Sequence, residues 1–185
     1  VALGEAFRTG ASPLEAARPG VVALWVLGVG TMLLRLLAGF VWLQRARRNA
    51  RQQVPELWQS RLRALCARMG LGDRVRMLIS DDEDGPLSAG IFRPMVIVPA
   101  ALLTRMPVEW LEALLAHELA HIRRHDYLVN LLQTLVESLL FYHPAVWWLS
   151  HRIRIERELI ADDIAANALG EPRRLALALS ALDRY

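Results

Sequence analysis

Residues 108–126 read VEWLEALLAHELAHIRRHD, and this stretch decides the fold. Apolar side chains at Val108, Leu111, Leu114, Leu115 and Leu119 recur at helical spacing, and Pro107 suits a first helical position. The stretch therefore predicts a helix carrying HELAH at 117–121. Residues four apart share a helix face, so the imidazoles of His117 and His121 can bind one zinc ion while Glu118 points at its water.

A catalytic zinc needs a third protein ligand and one open position. His125 stands eight residues from His117, about 12 Å along a continuous helix, too far to close on the same ion. A third histidine at the metzincin spacing would be residue 127, which is Tyr127, and Arg124 stands where that motif requires glycine. The remaining candidates are acids in IERELIADD, residues 155–163. Glu158 and Asp162 lie about 40° apart around a helix, whereas Glu156 and Asp163 are turned about 160° and 140° from Glu158. One acid of the pair can bind metal while the other orients a ligand histidine through its free ring nitrogen.

The flanking sequence places this motif on a scaffold. Glu56 to Met69 has helical periodicity and stops at Gly70 and Gly72, so a packing helix is expected there. VRMLI at 75–79 and MVIVP at 95–99 read as strands, joined through the acidic turn DDEDGP, which lacks calcium-loop spacing. Tyr127 to Tyr142 is helical in period, Pro144 opens a helix that runs to Gly170, and an amphipathic helix begins in 171–185. The expected fold class is α+β, predominantly helical: a zincin-like domain with a short β-hairpin or small sheet, attached to a transmembrane helix.

That last element is VVALWVLGVGTMLLRLLAGFVWL, residues 21–43, whose clearly polar members are Thr31 and Arg35. Its length covers a hydrocarbon core of about 30 Å. Trp25 and Trp42 sit near its ends, and Arg45, Arg47, Arg48 and Arg51 follow at once, which places the following residues in the cytoplasm. Residues 1–20 then form an extracytoplasmic loop and residues 44–185 the catalytic domain. Arg35 would lie within the membrane, and Glu137 is the acid to test as its partner.

Composition sets outer bounds. Of 185 residues, 54% are apolar, which excludes a disordered tail. All 22 basic residues are arginine, so a lysine nucleophile is excluded, and they are spread among 19 acids, which argues against direct nucleic-acid binding. Cys66 is the one cysteine, too few for a thiolate zinc site, and reads as a small buried hydrophobe.

HELAH, the downstream ELIAD at 158–162, GIFRPMVIVP at 90–99 and FYHPAVWWLSHRIRIERE at 141–158 together resemble the BlaR/MecR-type antirepressor family of membrane zinc peptidases, over roughly residues 21–170. The resemblance implies zinc held by His117, His121 and Glu158, with Glu118 as general base. Asp162 is then the acid that orients a ligand histidine. It further implies endoproteolysis of a cytosolic or membrane-adjacent protein, leading to loss of a transcriptional repressor. The HtpX-like quality-control proteases share HExxH and ExxxD but place a transmembrane hairpin between them, where 36 residues separate His121 from Glu158 here. A non-catalytic zinc-binding signalling module is the alternative of a different class.

Both sides of that 36-residue interval must reach one zinc, so 127–149 cannot cross the membrane once. It is expected to lie along the membrane surface or to re-enter, with Trp147 and Trp148 at the interface. Arginines 123, 124, 152, 154 and 157 flank this segment and are expected to meet lipid phosphates. A protein substrate is expected to add as a strand beside MVIVP, with Tyr142 and His151 as weak candidates for a further oxyanion donor.

Overall fold

The computed structural model describes residues 13–81, 85–90 and 93–182. Its first element, α1 (Pro13–Asn49), is one helix of 37 residues, about 55 Å long. The helix begins within the stretch expected to be a loop through residue 20, and residues 1–12 lie outside the described residues. None of its most apolar 18-residue window is buried, and Leu24 and Leu34 are each 68% exposed. A helix satisfies its own backbone, so an apolar segment of this kind is stable where water is absent.

After α1 come α2 (Glu56–Arg68), β1 (Arg76–Ser80), β2 (Leu87–Ala89), β3 (Met95–Pro99), α3 (Ala100–Arg105), α4 (Val108–Arg123), α5 (Asp126–Leu139), α6 (Pro144–Leu169) and α7 (Pro172–Leu182). The helix ends follow the local chemistry. Gly70 and Gly170, with φ of 72° and 73°, terminate α2 and α6 in the left-handed conformation that side chains disfavour.

The three strands form one small sheet in the order β1-β3-β2. β3 pairs in parallel with β1 and antiparallel with β2, so the two strands legible from sequence are parallel neighbours, and the hairpin is β2–β3. MVIVP is therefore the central strand, with both edges paired, and cannot receive a substrate strand as expected. Its near-continuous apolar run is the pattern of a strand buried on both faces. Val96 and Val98 join the main core with α2, α3, α4, α6 and α7, while Met95 and Ile97 meet Ala46 and Ala50 at the end of α1.

Glu112 on α4 holds three helices together through ion pairs to Arg61 on α2 at 2.9 Å, Arg68 on α2 at 3.2 Å and Arg174 on α7 at 2.9 Å. On the other side, α5 leads away from α4 and comes to rest against α1. The Trp25 indole N–H donates to the Leu139 carbonyl at 3.3 Å, and Gly28 leaves room for the ring of Phe141. The chain then turns and α6 returns to the core, so α5 and the start of α6 form a helical hairpin leaning on α1. Inside it, Gln133 donates to the Ser150 carbonyl at 2.9 Å.

Candidate active site

Helices α4 and α6 build the site because small residues let them approach closely. Ala113, Ala116 and Ala120 on α4 and Ala161 and Ala165 on α6 are fully buried. Interhelical distance follows the size of the side chains at the contact, and alanine gives the short end of the range. Glu158 and Asp162 share the α6 stripe of Ala161 and Ala165, so this packing carries both acids to the HELAH face of α4.

The result is a cluster of three groups that could hold a metal ion, His117, His121 and Glu158, whose candidate ligand atoms all lie within 4.8 Å of one another. His117 Nε2 stands 3.1 Å from His121 Nε2 and 3.5 Å from Glu158 Oε2, and His121 Nε2 stands 3.6 Å from Glu158 Oε2. Ligands at roughly 2.0–2.1 Å in tetrahedral geometry sit about 3.3 Å apart, so these separations fit one zinc ion.

The far sides of the rings support the same conclusion. His117 Nδ1 lies 2.8 Å from Asp162 Oδ1, and His121 Nδ1 lies 2.8 Å from Asp126 Oδ2. An imidazole that donates its Nδ1–H to a carboxylate presents a lone pair at Nε2. In that tautomer the two Nε2 atoms, 3.1 Å apart, both offer lone pairs to one point, where a cation fits. The donor set of two nitrogens and one carboxylate oxygen suits zinc and leaves a fourth position open.

Glu118 is half-buried, one position from His117, and contacts the sheet. Burial pushes its carboxyl above the ordinary carboxylate range, and the nearby Glu158 acts in the same direction. Hydrogen bonds from the Ser88 side chain and backbone, and the adjacent His117, pull it back down. Ser88 lies on β2, an outer strand of the sheet, whereas the outer edge of β1 is bridged by Arg51 to Ile79. A cleft of about 260 Å³ opens beside His121 between β2 and the end of α4, lined by Ser88, Ala89, Gly90, Ile122 and Tyr127 among others.

All five residues singled out from sequence are thus placed together: His117, His121 and Glu158 around one point, Glu118 beside them, and Asp162 behind His117. Ser88 and Asp126 were not foreseen. Ser88 sits in a three-residue strand too short for its alternation to be read. Asp126 would point about 140° away from His121 on a continuous helix, and it meets His121 because the helix breaks between them.

Other residues named from the sequence have different surroundings. Glu137 approaches Arg154 at 3.7 Å and accepts from Gln133 at 3.3 Å, while Arg35 is exposed on α1. Arginines counted for lipid contact are partly engaged within the protein: Arg124 donates to the Arg157 carbonyl at 2.9 Å, and Arg152 pairs with Glu156 at 3.1 Å. Tyr142 is 61% exposed in the α5–α6 turn, at the opposite end of α5 from Asp126. His151 precedes Glu158 by about 10 Å along α6. Neither belongs to the cluster.

Two helix-borne imidazoles and an acid from a second helix, with a glutamate flanking them, are the arrangement of metal-dependent peptidases of the HExxH class. The family model described as BlaR1 peptidase M56 matches residues 6–179, and the chain belongs to this family. It is similar to the regulatory protein BlaR1 of Bacillus licheniformis, at 26% identity over 140 residues, covering 76% of this chain and 23% of that protein. It is also similar to the methicillin resistance mecR1 protein of Staphylococcus aureus, at 20% identity over 128 residues, covering 69% of this chain and 22% of the relative. The chain therefore spans less than a quarter of the length of the curated relatives it matches. With the long apolar α1, this membership points to a membrane location.

Proposed function

We propose that this chain is the zinc endopeptidase core of a membrane signalling protein. One observation carries the reading: three ligand atoms at zinc-fitting separations, with Glu118 beside them and tied to an outer strand of the sheet. Zinc, when bound, supplies Lewis acidity, lowering the pKa of a water and polarising the scissile carbonyl.

The chain's own groups do the rest. Glu118 accepts a proton from the attacking water and returns it to the nitrogen of the leaving amine as the C–N bond breaks. Its raised proton affinity suits that exchange, and Ser88 holds the carboxylate in place. Asp162 fixes the ring of His117 so that Nε2 faces the metal position. An extended substrate segment pairs with β2, the strand that carries Ser88, instead of with the central β3. This mode of recognition reads a stretch of protein backbone.

Arg45, Arg47 and Arg48 in the last turns of α1, with Arg51 just beyond, support a cytoplasmic catalytic side. The α5–α6 hairpin re-enters the membrane beside α1, since α5 ends level with Trp25 and Gly28 and bears exposed leucines. The substrate is a cytosolic or membrane-adjacent protein, and a transcriptional repressor is the candidate the family resemblance supplies. The test is Glu118→Gln in purified protein loaded with zinc and offered a fluorogenic peptide library. The variant keeps its zinc and loses cleavage by more than about 100-fold, in line with the weight of general base catalysis. Full retention of cleavage sinks the assignment.

A further inference from the structure

Asp126 carries a further role. It is the first residue of α5, yet its side chain is turned inward and only 4% of the residue is exposed. Acids are common in the first turn of a helix, where they meet the positive end of the dipole, but such residues usually keep their carboxylate in water. Here Oδ2 lies 2.8 Å from His121 Nδ1 and 3.7 Å from Arg124, while Oδ1 is buried without a hydrogen-bond partner among the described residues. A carboxylate desolvated for so few contacts has a cost, and what it reaches is a metal-ligating ring.

The backbone supports the same conclusion. His125, between α4 and α5, has φ 58° and ψ 35°, and it is the one non-glycine residue with positive φ among those described. The left-handed conformation is unfavourable for a side chain and persists where the surroundings enforce it. Without this elbow, Asp126 would continue the α4 helix and point away from His121.

We propose that Asp126 is a positioning residue of the metal site, delivered by the left-handed elbow at His125. Accepting the His121 Nδ1–H fixes the tautomer that presents Nε2 to the metal and holds the ring in line. Asp126 thus does for His121 what Asp162 does for His117, from the opposite side of the site. As Asp126 also begins α5, whose far end rests on α1, the orientation of one ligand ring is tied to the seating of the hairpin on α1.

This inference rests on the metal-site reading, not on proteolysis, so the test reads metal. Zinc affinity of the detergent-solubilised full chain is measured by chelator competition, in a Glu118→Gln background that prevents self-cleavage. Asp126→Ala lowers affinity about 10- to 100-fold, the range for lost partners of ligating histidines, and alters the visible absorption of the cobalt-substituted protein. Asp126→Asn, which keeps volume and one acceptor, loses less.

His125→Val, β-branched and intolerant of positive φ, displaces the intact carboxylate and lowers affinity as well. His125→Gly retains it. Thermal stability of the metal-free variants is followed in parallel, because a merely structural Asp126 would lower that stability and leave the affinity of the folded fraction unchanged. Zinc affinity within twofold of the parent in Asp126→Ala, with affinity lost in His121→Ala, overturns the proposal and spares the site. Absence of stoichiometric zinc in the parent protein overturns both.

Discussion

Helices α4 and α5 are separated by two residues and are both rich in leucine, yet they treat those leucines in opposite ways. Leu111, Leu115 and Leu119 of α4 are fully buried, whereas Leu132 and Val136 of α5 are 55% and 48% exposed. α4 is enclosed by α2, α6, α7 and the sheet, and its apolar surface leaves water through packing. Among the described residues α5 packs chiefly on α1, α4 and the root of α6, and its outer leucines stay exposed. Apolar content alone therefore does not define the core of this protein; the number of packed neighbours does.

The strongest test of that contrast is topological. Single cysteines replacing Glu56 and Glu171 react with a membrane-impermeant thiol reagent from the same face of sealed vesicles, and one replacing the exposed Leu132 in mid-α5 stays unlabelled until the membrane is dissolved. Labelling of positions 56 and 171 from opposite faces breaks the re-entrant reading, because the segment between them would then have crossed.

A graded test compares single side chains. Leu119→Ala costs about 2–5 kcal/mol of stability, the usual range for a truncated core leucine. Leu132→Ala changes it by less than about 0.5 kcal/mol, as expected of a side chain away from the packed interior. Chemical unfolding in one detergent measures both, and equal losses would place the two helices in one common core.

The smallest effect concerns Cys66, on the packed side of α2. Burial first, then the charge of Asp73, pushes its thiol up from 9.0 to about 11. The folded state therefore holds the proton more tightly than the unfolded one. The stability this adds is fully present below pH 9 and is lost as pH rises through about 11. At pH 8 alkylation of Cys66 proceeds through opened molecules, which leaves the engineered cysteines above as the reactive ones. Rapid labelling of Cys66 in folded protein would count against the packing of α2.

Much of the site was legible because its geometry is helical. Two histidines four apart and two acids four apart each fix a face, and the alanine stripes decide how near those faces come. Three features lay beyond that reach. The edge strand that bears Ser88 is three residues long, and the parallel pairing of β1 with β3 depends on where the chain returns. Asp126 required a break in helical phase at His125, where no glycine or proline marks the turn. An acid at the junction of two apolar helical periods was the available signal.

The sequence by itself determined the candidate groups: HELAH, the Glu158–Asp162 pair and an apolar span long enough for a membrane are properties of local spacing. The tertiary structure alone decided which partners those groups meet. It set the ring of His121 against Asp126, Glu118 against Ser88, and the end of α5 against α1. Spacing along one helix is fixed by 3.6 residues per turn, but contacts between elements depend on packing and on the dihedral angles of a single connecting residue.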